Sequence, residues 1–353
     1  MALLKFSNVG IAGISAAVPV NKIYNFEYTD YFSKEEVKQI VEKVGIFERR
    51  FAPEGMCSSD LCFAAAEKLI SDMDIDKSDI GLLVFISQTP DYRMPATSIL
   101  LQNKLGLSKN TAAFDLTLGC SGFVYGLSIV YGLIQSGMIK KALLLDGETR
   151  SRIYSPKDRK TAFIFGDGGI AAIIENDKKF GDSFFSLNSD GSKESYIKIE
   201  SGGYRNPSCP SSTIEKVVDE YGNIRHEEHG FMNGADVFNF VISEIPNDLK
   251  VLYEFSGVTK DEIDYFIFHQ ANSYMNNYLV KKLNLDKTKV PTCIESFGNT
   301  SSVSIPLTIA SRLQDSLNSD KKKLLLSGFG VGMSWATAVI NTENCYVSDM
   351  VEI

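Results

Sequence analysis

The sequence predicts an α/β protein made of two related halves, and three observations point there. Strand-like apolar runs at 82–86, 142–145, 171–174, 265–268, 324–326 and 337–340 alternate with helical stretches, the pattern of layered sheets and helices. Segments of the first half recur in the second at a nearly constant offset of about 180 residues. A stretch without charge, 116–139, stands between strand-like runs and reads as a central helix buried on all sides.

Composition sets the frame for these elements. The 353 residues are 44% hydrophobic and 23% charged, which gives a soluble globular chain enough apolar material for a large core. The length fits two ordinary domains or one duplicated one. With 36 basic and 44 acidic residues the formal net charge is −8, so no overall electrostatic footprint for nucleic acid or an anionic membrane exists. An acidic partner must be met by a local patch. The six cysteines form no CxxC pair and read as reduced thiols.

The N-terminus resembles a signal peptide only superficially. Lys5, Ser7 and Asn8 interrupt the apolar run, and the remainder reads as a buried strand, which implies a cytoplasmic location. The uncharged 116–139 segment is long enough to raise a transmembrane reading. Its five glycines, Ser121, Ser128, Gln135 and Ser136, in a chain of mean hydropathy −0.05, argue for a core helix and against membrane insertion.

Three pairs of segments define the duplication. Residues 79–88 match 261–270, placing Ser87 and Gln88 on His269 and Gln270; 114–122 match 293–301, placing Cys120 on Asn299; 141–145 match the run at 323–326. Ordinary α/β periodicity without common ancestry remains the alternative. If the halves are related, a pseudo-twofold axis brings the Cys120 turn, the Asn299 turn and the His269 strand end together. The division falls near the polar, irregular stretch 175–191, giving halves 1–178, with a nucleophilic cysteine, and 179–353, with a histidine and an asparagine.

Cys120 lies between glycines, after a strand ending near Thr117 and at the start of the uncharged helix. The positive end of the helix dipole favours thiolate there, and the glycines permit a sharp turn that frees the residue's own N–H for an oxyanion. A buried inert thiol is the competing reading. His269 ends an apolar strand and is followed by Gln270, Ala271 and Asn272; a hydrogen-bonded rim histidine would look the same. Asn299 repeats the turn-before-helix setting of Cys120, with simple capping as its alternative.

Together these three supply a nucleophile and two hydrogen-bond donors with no carboxylate to repel an enolate, which suits thioester carbon–carbon chemistry. The order Cys, His, Asn also fits a papain-like peptidase. That enzyme's CG[SA]C[WY] surrounding is absent, the cysteine is far from the N-terminus, and a duplicated α/β chain is the wrong scaffold. The glycine run at 328–332 leads into the alternating strand-like run from Ser334. It therefore predicts a tight hairpin presenting a backbone N–H, and not a dinucleotide loop. The glycines of 166–169 read as structural. His226 and His229 lack a third ligand nearby and read as solvated surface, so no metal is expected.

At Gly119-Cys120-Ser121-Gly122, Phe268-His269-Gln270-Ala271-Asn272, Phe297-Gly298-Asn299-Thr300-Ser301-Ser302 and Gly328-Phe329-Gly330-Val331-Gly332, the chain resembles the β-ketoacyl-[acyl-carrier-protein] synthase III family. The likeness spans nearly the whole length, including Gly45-Ile46-Phe47-Glu48-Arg49-Arg50 and Asp158-Arg159 before Phe165-Gly166-Asp167-Gly168. It implies a thiolase-like, duplicated five-layer αβαβα architecture. By the same resemblance Cys120 is acylated by an acyl-CoA, and His269 and Asn299 stabilise the enolate formed as malonyl-acyl carrier protein loses carbon dioxide. The N–H groups of Cys120 and Val331 form the oxyanion hole. Met94, Arg159, Asn272 and Phe329 bind substrate, with Met94 bordering the acyl pocket of a partner in a homodimer. Coenzyme A enters as a substrate thioester, and no resident cofactor is implied.

The pattern departs from the family in two places. Gln39 stands where members carry a tryptophan that stacks on the CoA adenine, and Tyr274 stands where they carry an arginine; Arg159 keeps its matching position. These changes point to a specialised role, with segment 140–160, seven basic residues against three acidic, as an alternative landing site for an acidic carrier protein or else an ordinary charged surface. The predicted reaction is a decarboxylative Claisen condensation of an acyl thioester with a malonyl thioester. A non-decarboxylating acyltransferase of the same fold is the nearest rival. Thiolases proper need a second cysteine where Ser327 and Phe329 stand, chalcone-type synthases lack the sequence contexts around His269 and Asn299, and a silent scaffolding subunit is the alternative outside catalysis.

Overall fold

The computed structural model describes residues 2–353. Two mixed sheets form its frame. The first runs in the order β17 (Tyr346–Val347), β2 (Val9–Val18), β8 (Asp167–Asn176), β7 (Lys141–Thr149), β5 (Ile80–Ile86) and β6 (Ala112–Leu116), with β18 (Val351–Glu352) also on β2. The second runs β1 (Ala2–Ser7), β9 (Asp182–Ser189), β16 (Ser334–Thr342), β15 (Lys322–Gly330) and β14 (Tyr265–Phe268). Three short ladders lie outside them: β3 (Lys22–Tyr24) with β4 (Glu48–Arg50), β10 (Ile197–Ile199) with β13 (Gly230–Met232), and β11 (Lys216–Val217) with β12 (Ile224–Arg225).

The duplication is visible in the pairing. In the first sheet β5 and β7 are parallel and β8 returns antiparallel; in the second β14 and β15 are parallel and β16 returns antiparallel. Register agrees at the ends that matter, since Ile86 faces Asp146 and Phe268 faces Ser327. Each sheet also takes an edge from the opposite end of the chain, β1 in the second and β17 and β18 in the first.

Five layers result. Helices α4 (Gly122–Ser136) and α8 (Ser304–Arg312) pack between the sheets, α2 (Ser58–Asp72) and α3 (Thr97–Lys104) cover the outer face of the first, and α5 (Gly234–Ser256) with α6 (Ser273–Lys282) cover the second. The uncharged sequence of α4 follows from this position. Phe123, Val124, Leu127, Val130 and Tyr131 are wholly buried, each such side chain contributing roughly 1.5–3 kcal/mol. Gly126 is needed because a Cβ there would stand 2.4 Å from Ile86. The remaining α-helices are α1 (Lys34–Val44), started by a Ser33–Glu36 capping box, α7 (Ile294–Phe297) and α9 (Gln314–Ser319). Among the described residues no helix is long and apolar enough to cross a membrane.

Three expectations need correction. The N-terminus is two strands, not one, because Asn8 adopts a left-handed φ of 63° that sends β1 to one sheet and β2 to the other. The stretch 175–191, expected to be irregular, contains β9, whose Ser183, Phe185, Ser186 and Asn188 are buried between neighbours. Segment 140–160 is no single basic surface. Its first half is buried β7, Lys140 and Lys141 pair with Asp79 and Glu175 at one end, and Lys157, Arg159 and Lys160 pair with Glu215, Glu36 and Asp219 at the other.

Candidate active site

Cys120 sits in the turn between β6 and α4, just before the first turn of the helix. The Gly122 N–H closes on Gly119 O at 2.5 Å, and the Ser121 hydroxyl meets that of Ser334 at 2.7 Å, tying the turn to the β15–β16 hairpin. That hairpin passes the sulfur without side chains. A Cβ at Gly330 would lie 2.6 Å from Cys120 Sγ, and one at Gly328 would lie 2.9 Å from Cys120 O. Burial alone raises the thiol pKa, but the charge and hydrogen bond of His269, the Val331 N–H and the Arg150 charge outweigh it and bring it down to about 6.

His269 ends β14 and is buried. Its Nδ1 lies 2.7 Å from Ser304 Oγ, at the start of α8, and its ring stands edge-on to Phe329 with centroids 5.6 Å apart. Asn299 opens the turn before α8. Its Oδ1 accepts from the Ser301 N–H at 2.9 Å, which leaves the amide Nδ2 directed toward Ala271 O, 3.5 Å away, and the cavity. Gly298 makes this possible, because a Cβ there would meet Ile164 O at 2.6 Å and its φ is +67°.

Cys120, His269, Asn299, Phe329 and Val331 line one small cavity, closed by Arg150, Tyr154, Phe165, Ile197, Met232 and Met275 among others. Tyr154 stacks on Phe165 at 3.8 Å. The cavity shares Met232 and Met275 with a surface cleft of about 720 Å³, where Asn272, Arg159, Lys43, Lys160 and Tyr274 are found. Asn272 caps α6 there through the Met275 N–H at 2.8 Å. Gln39 is exposed on α1 and Met94 is 77% exposed, well outside the cavity.

Sequence reading missed Arg150, Gln88, Glu148, Tyr154 and Ser304. A signal existed for two of them. Glu148 and Arg150 are charges at and just past the carboxyl end of strand β7, where open α/β sheets place ligands. Asp167 confirms the structural role given to 166–169, since it accepts from Ala52 and Ser151 N–H groups, both at 2.8 Å. His226 and His229 are half-buried and stacked, centroids 3.4 Å apart, where solvated surface was expected; each Nδ1 is taken by a backbone N–H. Among the described residues no group of three His, Cys, Asp or Glu is arranged to hold a metal ion.

Comparison with known proteins gives one answer. Residues 114–191 match the family described as 3-Oxoacyl-[acyl-carrier-protein (ACP)] synthase III, and residues 253–342 match its C-terminal family. A beta-ketoacyl-[acyl-carrier-protein] synthase III of Aliarcobacter butzleri is 34% identical, over 92% of this chain and 95% of its own. One of Fusobacterium nucleatum is 32% identical, over 94% and 98%. The crystal structure of a 3-oxoacyl-(acyl-carrier protein) synthase from Burkholderia xenovorans superimposes with a TM-score of 0.93 at 35% identity, covering 100% of this chain and 99% of that one.

Proposed function

The chain belongs to the 3-oxoacyl-[acyl-carrier-protein] synthase III family and is a transferase of that kind, and from this premise we propose how its own residues condense an acyl-CoA primer with malonyl-acyl carrier protein. Cys120 is the acyl carrier. Its thiolate attacks the thioester carbon, the tetrahedral oxyanion is held by the Cys120 and Val331 N–H groups, and the carbon–sulfur bond to CoA breaks. The departing CoA thiolate takes its proton from water.

The malonyl thioester then enters by the same cleft. As its carboxylate leaves as carbon dioxide, the electron pair of the broken carbon–carbon bond becomes an enolate whose oxygen is met by His269 Nε2–H and Asn299 Nδ2–H. The enolate carbon attacks the acyl carbonyl on Cys120, the thiolate is released, and the 3-oxoacyl chain remains on the carrier protein. Two N–H donors beside the sulfur favour this course over acyl transfer to a hydroxyl or amine.

Lys43, Arg159 and Lys160 line this cleft and receive phosphates of the incoming CoA or carrier arm, Arg159 and Lys160 giving up Glu36 and Asp219 to do so, with Asn272 and Phe329 along the route. Exposed Tyr92, Met94 and Ile99, near the edge strand β6, suit a second copy of the chain. The resulting reading is a cytoplasmic homodimeric acyltransferase, each subunit divided at 178/179 into a cysteine half and a His–Asn half.

One observation supports this reading above the rest: a thiol held at about 6 shares a cavity with His269 and Asn299. Its test is carbon dioxide release and 3-oxoacyl product from malonyl-carrier protein with a panel of acyl-CoAs. Cys120→Ser should abolish product; turnover unaffected by that change would end the proposal.

A further inference from the structure

The Cys120 cavity opens in two directions of different character. Met232 and Met275 lead to the large cleft, whereas Arg150, Tyr154, Ile197 and Val331 are shared with a second chamber of about 240 Å³ whose wall adds Gln88, Lys198, Ile199 and Gly230. A thioester delivered along the first path directs its acyl tail into the second. A pocket for a hydrocarbon tail would be apolar throughout. This one contains a guanidinium.

Arg150 is only 5% exposed. Its Nη1 donates to Gln88 Oε1 at 3.2 Å and its Nη2 to Tyr154 Oη at 2.9 Å, while its Nε–H has no partner. Both acceptors are neutral, and among the described residues no carboxylate comes within 4.0 Å of the guanidinium. Glu148, near the end of β7 and two residues before Arg150, turns its oxygens to the Gln88 N–H at 3.1 Å and the Thr89 hydroxyl at 3.0 Å. Burial pushes that carboxyl up to about 7 despite the Arg150 charge. Lys198, the other cation of the chamber, is already met by Glu194 and Glu200 at 3.6 and 3.3 Å.

A buried cation without an ion pair is unfavourable unless another negative charge reaches it. In the free enzyme Glu148 and the Cys120 thiolate act on it without touching it. Acylation removes the sulfur's share and leaves the guanidinium beside the acyl group with no carboxylate in contact. We propose that the primer is a short acyl chain ending in a carboxylate, and that Arg150, reaching it through the free Nε–H, is the residue that selects it. The inference deepens the reading of Cys120 as the acylated nucleophile and rests on it.

The test is intact-protein mass spectrometry over time with succinyl-CoA, butyryl-CoA and 3-hydroxybutyryl-CoA, three primers of equal carbon number. Succinyl should acylate at least about tenfold faster than butyryl, since a buried polar group left unpaired rejects an apolar analogue by that factor or more. Arg150→Leu should reverse that order, and Arg150→Lys should keep part of it. Should the leucine variant not fold, the wild-type comparison decides alone. Butyryl equal to succinyl would overturn the proposal, and 3-hydroxybutyryl equal to succinyl would overturn the requirement for charge. If no thioester adds mass to Cys120, the nucleophile assignment itself fails and the primer assignment goes with it.

Discussion

Ser304 holds its hydroxyl oxygen 2.7 Å from Nδ1 of His269 while accepting the Gln270 N–H at 3.2 Å. The hydroxyl proton can turn to the imidazole while the amide proton occupies one lone pair of the oxygen. In that arrangement Nδ1 is the acceptor and the ring proton sits on Nε2. This is the tautomer that can donate to an enolate, and it is favoured by a residue that does not line the cavity.

Ser304→Ala should therefore impair decarboxylation more than acylation. The expected loss is about 10- to 100-fold in carbon dioxide release, smaller than the removal of a direct oxyanion donor. Acylation of Cys120 measured by mass should change far less, and Ser304→Thr should restore turnover. Equal losses in both half-reactions would show a merely structural role.

The Cys120 thiol offers a titration. Burial works against the thiolate, and His269, the Val331 N–H and Arg150 bring the pKa to about 6. Iodoacetamide should alkylate Cys120 with a rate that rises through pH 6 and is level by pH 8. His269→Ala should move the midpoint upward, toward that of an ordinary thiol. The buried Cys293, raised to about 11 by its burial, should stay unmodified throughout.

Much of the site was legible because its chemistry sits at turns. Cys120 and Asn299 each precede a buried helix, and the glycines around them mark close backbone approach. His269 was found at the end of an apolar run, where a polar residue stands out. The strands of the apolar core read equally well, since β5, β7, β8 and β14 to β16 each contain an unbroken apolar run. Strand β9 did not. Its serines and asparagine are satisfied inside the protein, with Ser186 and Asn188 both bonded to buried Asp248 at 2.5 and 2.8 Å, a partnership from another element that no local pattern announces. Arg150 escaped for the same reason, because a run of nearby cations looks like surface until the sheet buries it.

Gly330 is fixed by its φ of +157° and by the sulfur beside it. A methyl group there would come within 2.6 Å of Cys120 Sγ and 2.7 Å of its Cβ, so neither hairpin nor helix can yield without moving the nucleophile. Gly330→Ala should lower acylation by more than about 100-fold, since small misplacements of reacting groups cost that much. Its circular dichroism should remain that of the wild type. Full activity in this variant would show that the turn relaxes easily.

His229 gives the chain a distinctive response to mild acid. Burial, followed by the neighbouring His226 charge, lowers its pKa to about 4 from the ordinary 6.5. Between these values the unfolded chain binds a proton at this site and the folded chain does not, so its contribution to stability is lost as pH falls from about 6.5 toward 4. Carboxylates held low by hydrogen bonds in the same region, Glu227 to Lys216 and Glu228 to Ser212, also lose stability in acid, but only below their ordinary value of 4.5. Buried acids with raised pKa values, Asp146 and Glu148, act in the opposite sense. The difference between wild type and His229→Asn isolates the histidine: urea midpoints should converge as pH drops from 6.5 to 4.5, with the wild type losing more. Parallel curves across that interval would show that His229 is protonated as readily in the folded protein as in the unfolded chain.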